Sequence, residues 1–231
     1  MTSPPFPIIG MVLFPNFTQL DLTGPFEVFG RIPNARVVAV AAGLGAVTSD
    51  TGLRVLPDVS FADAPACDVI CVPGGPGVNQ MLEDDALLGF LRAQGEHARY
   101  VTSVCTGSLL LGAAGLLGGY RASTHWLSMD LLALFGAVPV RERVVIDRNR
   151  ITGGGVTAGI DFGLVVAAAI AGDEVAQQIQ LMLEYDPAPP FDAGSPLRAP
   201  AEVVAAVRRQ GAQYLDARTV LATRAALRLP R

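Results

Sequence analysis

Short apolar runs rich in β-branched residues alternate with helical patterns along most of this 231-residue chain, and that alternation constrains the fold more than any other feature. Residues 8–14 form an apolar run closed by Pro15, residues 24–31 read as helix, and 36–42 repeat the run. A helix between two such strands returns the chain to a parallel neighbour through a right-handed crossover. The pattern recurs as strand 68–72, closed by Pro73-Gly74-Gly75-Pro76-Gly77, helical pattern 79–95, strand 100–104 and a helix to about 117. It continues as strand 121–124, helix 127–135, paired strands over 143–152 turning at 147–149, and helices 157–171 and 173–185. The expectation is an α/β fold with a largely parallel sheet and helices on both faces. Residues 48–57 read as a hairpin-like excursion around Asp50-Thr-Gly52. Pro25 is expected in the first turn of its helix, where its missing N–H costs nothing, which places Asp21 just ahead of the helix start. The prolines of 187–200 exclude a helix and mark an extended surface connector. The last thirty residues read as an amphipathic helical element packing on the domain or on a second subunit. One α/β domain over 1–196 with a helical extension over 197–231 is therefore expected.

Tyr100-Val-Thr-Ser-Val-Cys105-Thr106-Gly107-Ser108 puts a thiol where a strand stops and a glycine-bearing turn opens an apolar helix. Such an elbow displays its central side chain above the sheet, and the unpaired N–H groups of the helix start favour a thiolate there. Cys105 is the candidate nucleophile, set against the alternative that it is a small core hydrophobe, which is the reading for Cys67 and Cys71. Asp21 reads either as a helix-capping carboxylate or as the acid partner of that thiol. It leaves the first strand at the carboxyl edge of the sheet, where Cys105 also emerges. Shielding by Leu20, Leu22 and Phe26 would raise its pKa and let it hold a proton for delivery. The amides of Gly75 and Thr106 are candidate donors to negative charge developing on a substrate. Gly153-Gly154-Gly155 matches a loose dinucleotide fingerprint, but no ribose-binding acid ends a following strand, so close helix packing is preferred. His125 beside Trp126 reads as a satisfied core pair in preference to a pocket residue.

Composition removes several classes. All seventeen basic residues are arginine, spread without a dense cluster over a chain of net charge −4, which argues against nucleic acid. The lack of lysine excludes Schiff-base chemistry on a side chain. Two histidines, His97 and His125, exclude a multi-histidine metal site, so neither metal nor cofactor is expected. Three cysteines read as reduced thiols. Residues 1–7 carry no basic leader, and the uncharged stretch 100–120 is broken by glycines, so a cytoplasmic chain without a membrane span is expected. Only 16% of residues are charged, against roughly 25% in an average soluble domain, which suggests surface hidden in an oligomer.

The chain resembles the DJ-1/PfpI superfamily, and more closely its isocyanide hydratases. The likeness lies in Leu13-Phe-Pro15, Gln19-Leu-Asp21-Leu-Thr-Gly-Pro25, Val72-Pro-Gly-Gly75, Val101-Thr-Ser-Val-Cys105-Thr-Gly-Ser108, Thr124-His-Trp126, the segment from Thr152 to Asp161, and, most specifically, the segment from Leu183 to Pro196. The resemblance implies a flavodoxin-like three-layer sandwich, a homodimer, and an elbow cysteine contacted by an acid, roles that fall on Cys105 and Asp21. Thr106 stands where the protease-like branch has histidine, and Asp21 where the DJ-1 branch has Glu. Both departures favour hydration of an isocyanide through a covalent thioimidate, with Thr106 orienting groups beside the sulfur. The rival expectation is the ligand-sensing domain of AraC-type regulators, which share the Asp-Leu-Thr-Gly-Pro and Val-Cys-Thr-Gly segments but need about a hundred further residues of helix-turn-helix. A third is a redox sensor that oxidises Cys105.

Overall fold

The computed structural model describes residues 7–229. It begins with β1 (Ile8–Val12), α1 (Gln19–Phe29) and β2 (Arg36–Ala41), and β1 pairs parallel with β2. The antiparallel pair β3 (Val47–Thr48) and β4 (Arg54–Val55) makes the expected excursion, and β5 (Val59–Ser60) is a two-residue edge strand with no sequence signal of its own. Next come β6 (Val69–Val72), α2 (Val78–Met81), α3 (Asp85–Gly95), β7 (Tyr100–Val104) and α4 (Gly107–Ala113). β8 (Arg121–Ala122), a 3-10 helix (Trp126–Phe135) and β9 (Val138–Pro139) precede the antiparallel pair β10 (Val144–Asp147) and β11 (Arg150–Gly153). α5 (Ala158–Ala171), α6 (Asp173–Met182) and α7 (Ala201–Leu227) follow.

The central sheet runs β10-β11-β7-β6-β1-β2-β5, parallel at every pairing except β10–β11. β6 is buried at every residue, as a strand covered on both faces must be. α1, α5 and α6 form one outer layer, while α2, α3, α4, the 3-10 helix and α7 form the other. This is the flavodoxin-like three-layer sandwich. The chain leaves β1 toward β2 on one side and later adds β6 and β7 on the other, so the strand order reverses beside β1. Open α/β sheets form their ligand crevice at the carboxyl edge of such a reversal.

Several boundaries differ from the sequence expectation. α1 starts at Gln19, so Asp21 lies in its first turn and Pro25 inside it. Asp21, Leu22, Pro25, Val28 and Phe29 recur at helical spacing on its buried face, and packing on α5 outweighs the one hydrogen bond a proline cannot make. The helical pattern 79–95 splits, because the Asp84 carboxylate accepts the Leu87 N–H at 2.8 Å and caps a new helix, α3. α4 stops at Ala113, short of 117, where Gly115 turns at φ +80°. Residues 187–200 carry neither helix nor strand and are mostly exposed. The leader expectation falls almost wholly on residues 1–6, outside the described residues. Among the described residues, no helix is long and apolar enough to cross a membrane.

Candidate active site

β7 ends at Val104, and Cys105 then adopts φ +56°, a left-handed backbone that costs a non-glycine residue on the order of 1–3 kcal/mol. The surroundings hold it there. Its N–H donates to the Gly153 carbonyl at 3.1 Å, while its own carbonyl accepts from Thr124 Oγ1 at 2.9 Å and Ser108 Oγ at 3.2 Å. The elbow also requires glycine at 107, since a Cβ there would sit 2.1 Å from the Val72 carbonyl oxygen. Cys105 is only 5% exposed, yet it lines a cavity of about 250 Å³ at the carboxyl edge of the sheet.

Asp21 is fully buried. Its Oδ2 accepts the Gly74 N–H at 2.9 Å, and a Cβ on Gly74 would come within 3.0 Å of that oxygen. Oδ1 has no partner of good hydrogen-bond geometry, although the Cys105 thiol stands close enough for each group to alter the other's ionisation. Burial pushes the Asp21 carboxyl up to about 7, against the pull of the Gly74 N–H and the thiol. Burial also raises Cys105 well above its ordinary value, and the Asp21 charge adds to this. The Thr106 N–H and the Arg218 guanidinium act in the opposite sense without overcoming it. The helix start does favour the thiolate through that N–H, as expected, but desolvation outweighs it. The pair can instead share a proton between two groups that are both reluctant to ionise.

The structure brings Asp21, Gly75, Cys105 and Thr106 together at one rim of the sheet. The Gly75 N–H donates to Thr106 Oγ1 at 3.0 Å, so this amide serves the threonine hydroxyl and does not point free into the cavity, as the sequence reading expected. His125, read as a core residue, lines the cavity and is half-buried, and burial pushes its imidazole down to about 4, so it is neutral at neutral pH. Thr18 donates to the Asp50 carboxylate at 2.7 Å on another wall. Sequence reasoning missed Arg218, which reaches the cavity from α7. Gly211 in mid-helix and the buried Ala222 and Ala225 on the same face were the available signal that this face packs closely.

Gly153, Gly159 and Gly163 serve packing: a Cβ on Gly153 would lie 3.2 Å from Phe162, and one on Gly159 would lie 3.2 Å from Pro25. Cys67 and Cys71 are buried core thiols that burial pushes up to about 11 and about 12. Among the described residues, no group of three or more His, Cys, Asp or Glu is arranged to hold a metal ion.

The chain is 55% identical over 221 residues to an isonitrile hydratase of Pseudomonas putida, covering 96% of this chain and 97% of that protein. A solved ThiJ/PfpI family protein from Pseudomonas syringae superposes with a TM-score of 0.91 at 46% identity, covering 96% of this chain and 94% of the other. The HTH-type transcriptional regulator GbdR of Pseudomonas aeruginosa is 34% identical over 187 residues, which are 77% of this chain and 50% of the regulator. The family profile described as DJ-1/PfpI matches residues 8–169. With its elbow cysteine, its buried acid and this match over most of its length, the chain belongs to the DJ-1/PfpI family.

Proposed function

We propose that this chain is an isocyanide hydratase, converting R–N≡C and water to an N-substituted formamide with Cys105 as nucleophile. The observation that carries the reading is its 55% identity, over nearly all of both chains, to an isonitrile hydratase, isonitrile being a synonym of isocyanide. The Cys105–Asp21 pair at the cavity is the chemistry such a reaction needs. The terminal isocyanide carbon must gain both a nucleophile and a proton. The thiol proton passes to Asp21 as sulfur attacks, and the carboxyl then delivers it to that carbon, giving the thioimidate Cys–S–CH=N–R. An acid raised to about 7 suits both directions of transfer at neutral pH. Water adds to the C=N carbon, and collapse returns the proton to sulfur and releases HC(=O)–NH–R. Thr106, fixed by the Gly75 N–H, orients groups beside the sulfur, and its own N–H steadies charge there. No step calls for a metal or an organic cofactor.

The proposal treats 1–196 as the catalytic domain and 197–231 as an extension that walls the cavity. It includes a homodimer in the cytoplasm, for which the exposed Leu181, Met182, Phe191 and Leu197 offer apolar surface.

Incubation with para-nitrophenyl isocyanide followed by mass analysis tests the reaction. The formamide is expected from the parent and from Cys71→Ala, and not from Cys105→Ala. An active Cys105→Ala would remove sulfur from the mechanism. The likeness to GbdR favours a second reading, a ligand-sensing domain, which predicts binding of the isocyanide without product.

A further inference from the structure

Arg218 is 9% exposed on the cavity wall, and its guanidinium is held entirely by neutral oxygens. Nε donates to Asn79 Oδ1 at 2.8 Å, Nη1 to Ser128 Oγ at 3.0 Å and Nη2 to the Gly75 carbonyl at 3.2 Å. Among the described residues it pairs with no carboxylate, a state it shares with buried Arg150, which lies away from the cavity, whereas the arginines that do form ion pairs are substantially exposed. Burying a cation without an anion is costly, and a fold that does so at a reactive thiol has placed a charge where another charge appears. α7 is docked to hold it there. Gly211 lets the helix approach Leu127, to whose Cδ1 a Cβ would lie 3.1 Å, and Asn79 Nδ2 donates to the Tyr214 carbonyl at 3.2 Å.

We propose that Arg218 is the counter-charge of this site, a positioning residue that favours the anionic form of Cys105 as the sulfur attacks. The titratable groups that act on that sulfur or share its cavity are Asp21 from α1, His125 ahead of the 3-10 helix and Arg218 from α7, with Asp50 and Tyr214 on the cavity walls. Asp21 opposes a thiolate, His125 is neutral, and Arg218 is the cation among them. Burial weakens the guanidinium's hold on its proton, and negative charge at Cys105 opposes that weakening without cancelling it, which is the reciprocal of the same coupling. The inference rests on Cys105 being the reacting sulfur, and not on an isocyanide being the substrate.

The test is the pH dependence of Cys105 alkylation by iodoacetamide, read by peptide mass, with buried Cys67 and Cys71 as internal references. Arg218→Met is expected to raise the midpoint by about one pH unit or more, and Arg218→Lys to recover most of that shift. Asn79→Asp, which gives the guanidinium a carboxylate partner without removing it, is expected to raise the midpoint as well. A folded Arg218→Met with the parental midpoint would overturn the proposal. Should that variant fail to fold, a parental midpoint in Asn79→Asp would overturn it equally. A shifted midpoint in a protein that makes no formamide from any isocyanide would support Arg218's role and fault the hydratase reading instead.

Discussion

The left-handed backbone of Cys105 and the buried carboxyl of Asp21 are both unfavourable in isolation, and both are held by glycine-bearing turns that bring backbone close to them. Thr106 links the two turns. Its hydroxyl satisfies the buried Gly75 N–H, so Thr106→Val leaves that donor orphaned and is expected to cost about 1–3 kcal/mol in urea unfolding. A larger fractional loss is expected in turnover, because the same change frees the loop beside the sulfur. At this scale the sequence was readable where chemistry and chain are neighbours: Cys105 announced itself through Thr106, Gly107 and Ser108. It was unreadable where the partner lies on a distant element. Arg218 is one arginine among seventeen until the fold places it on Gly75.

Elements meet the site through their ends and their small residues. The 79–95 segment reads as one helix because its apolar spacing is continuous, but the Asp84 side chain competes for the Leu87 N–H and starts α3 afresh. Asp84→Ala is expected to lower stability by about 1 kcal/mol, measured by denaturant midpoint, with turnover unaffected because α3 does not line the cavity. α7 is the opposite case, an element with little buried surface and a direct stake in the site. Gly211→Val forces bulk against Leu127 and is expected to displace α7 around Arg218. Turnover should fall at least tenfold while the thermal midpoint moves by only a few degrees, since most residues of α7 are exposed. Amphipathic patterning identified α7 as a helix that docks. It could not say that the docking face is small and polar, because its contacts with the cavity are set by the 3-10 helix and α2 opposite.

For the whole molecule, one buried and one half-buried group near the same thiol tilt stability in opposite directions with pH. Asp21 has its folded value raised to about 7 from 3.8, so the native state holds an extra proton between those limits and this contribution to stability is lost as pH rises through about 7. His125 has its folded value lowered to about 4 from 6.5, so the unfolded chain holds the extra proton and stability grows with pH over that window. The two nearly cancel between about 4 and 6.5, and Asp21 alone acts from there to about 7. Thermal unfolding of Asp21→Asn across pH 4–7 should therefore show stability gained relative to the parent, with a limiting slope of about 1.4 kcal/mol per pH unit. His125→Gln should lose ground relative to the parent over pH 4–6.5; parallel curves for parent and variant would show that the histidine is not held neutral. The sequence by itself determined the layered α/β architecture, the elbow and its cysteine, because strand and helix periods and turn chemistry act over a few neighbouring residues. Only the tertiary structure decided that Asp21 lies inside its helix, that Cys105 is held as a reluctant thiol, and that His125 and Arg218 share its cavity. Burial and the field of a distant charge depend on which segments become neighbours in space, and local pattern carries no measure of that.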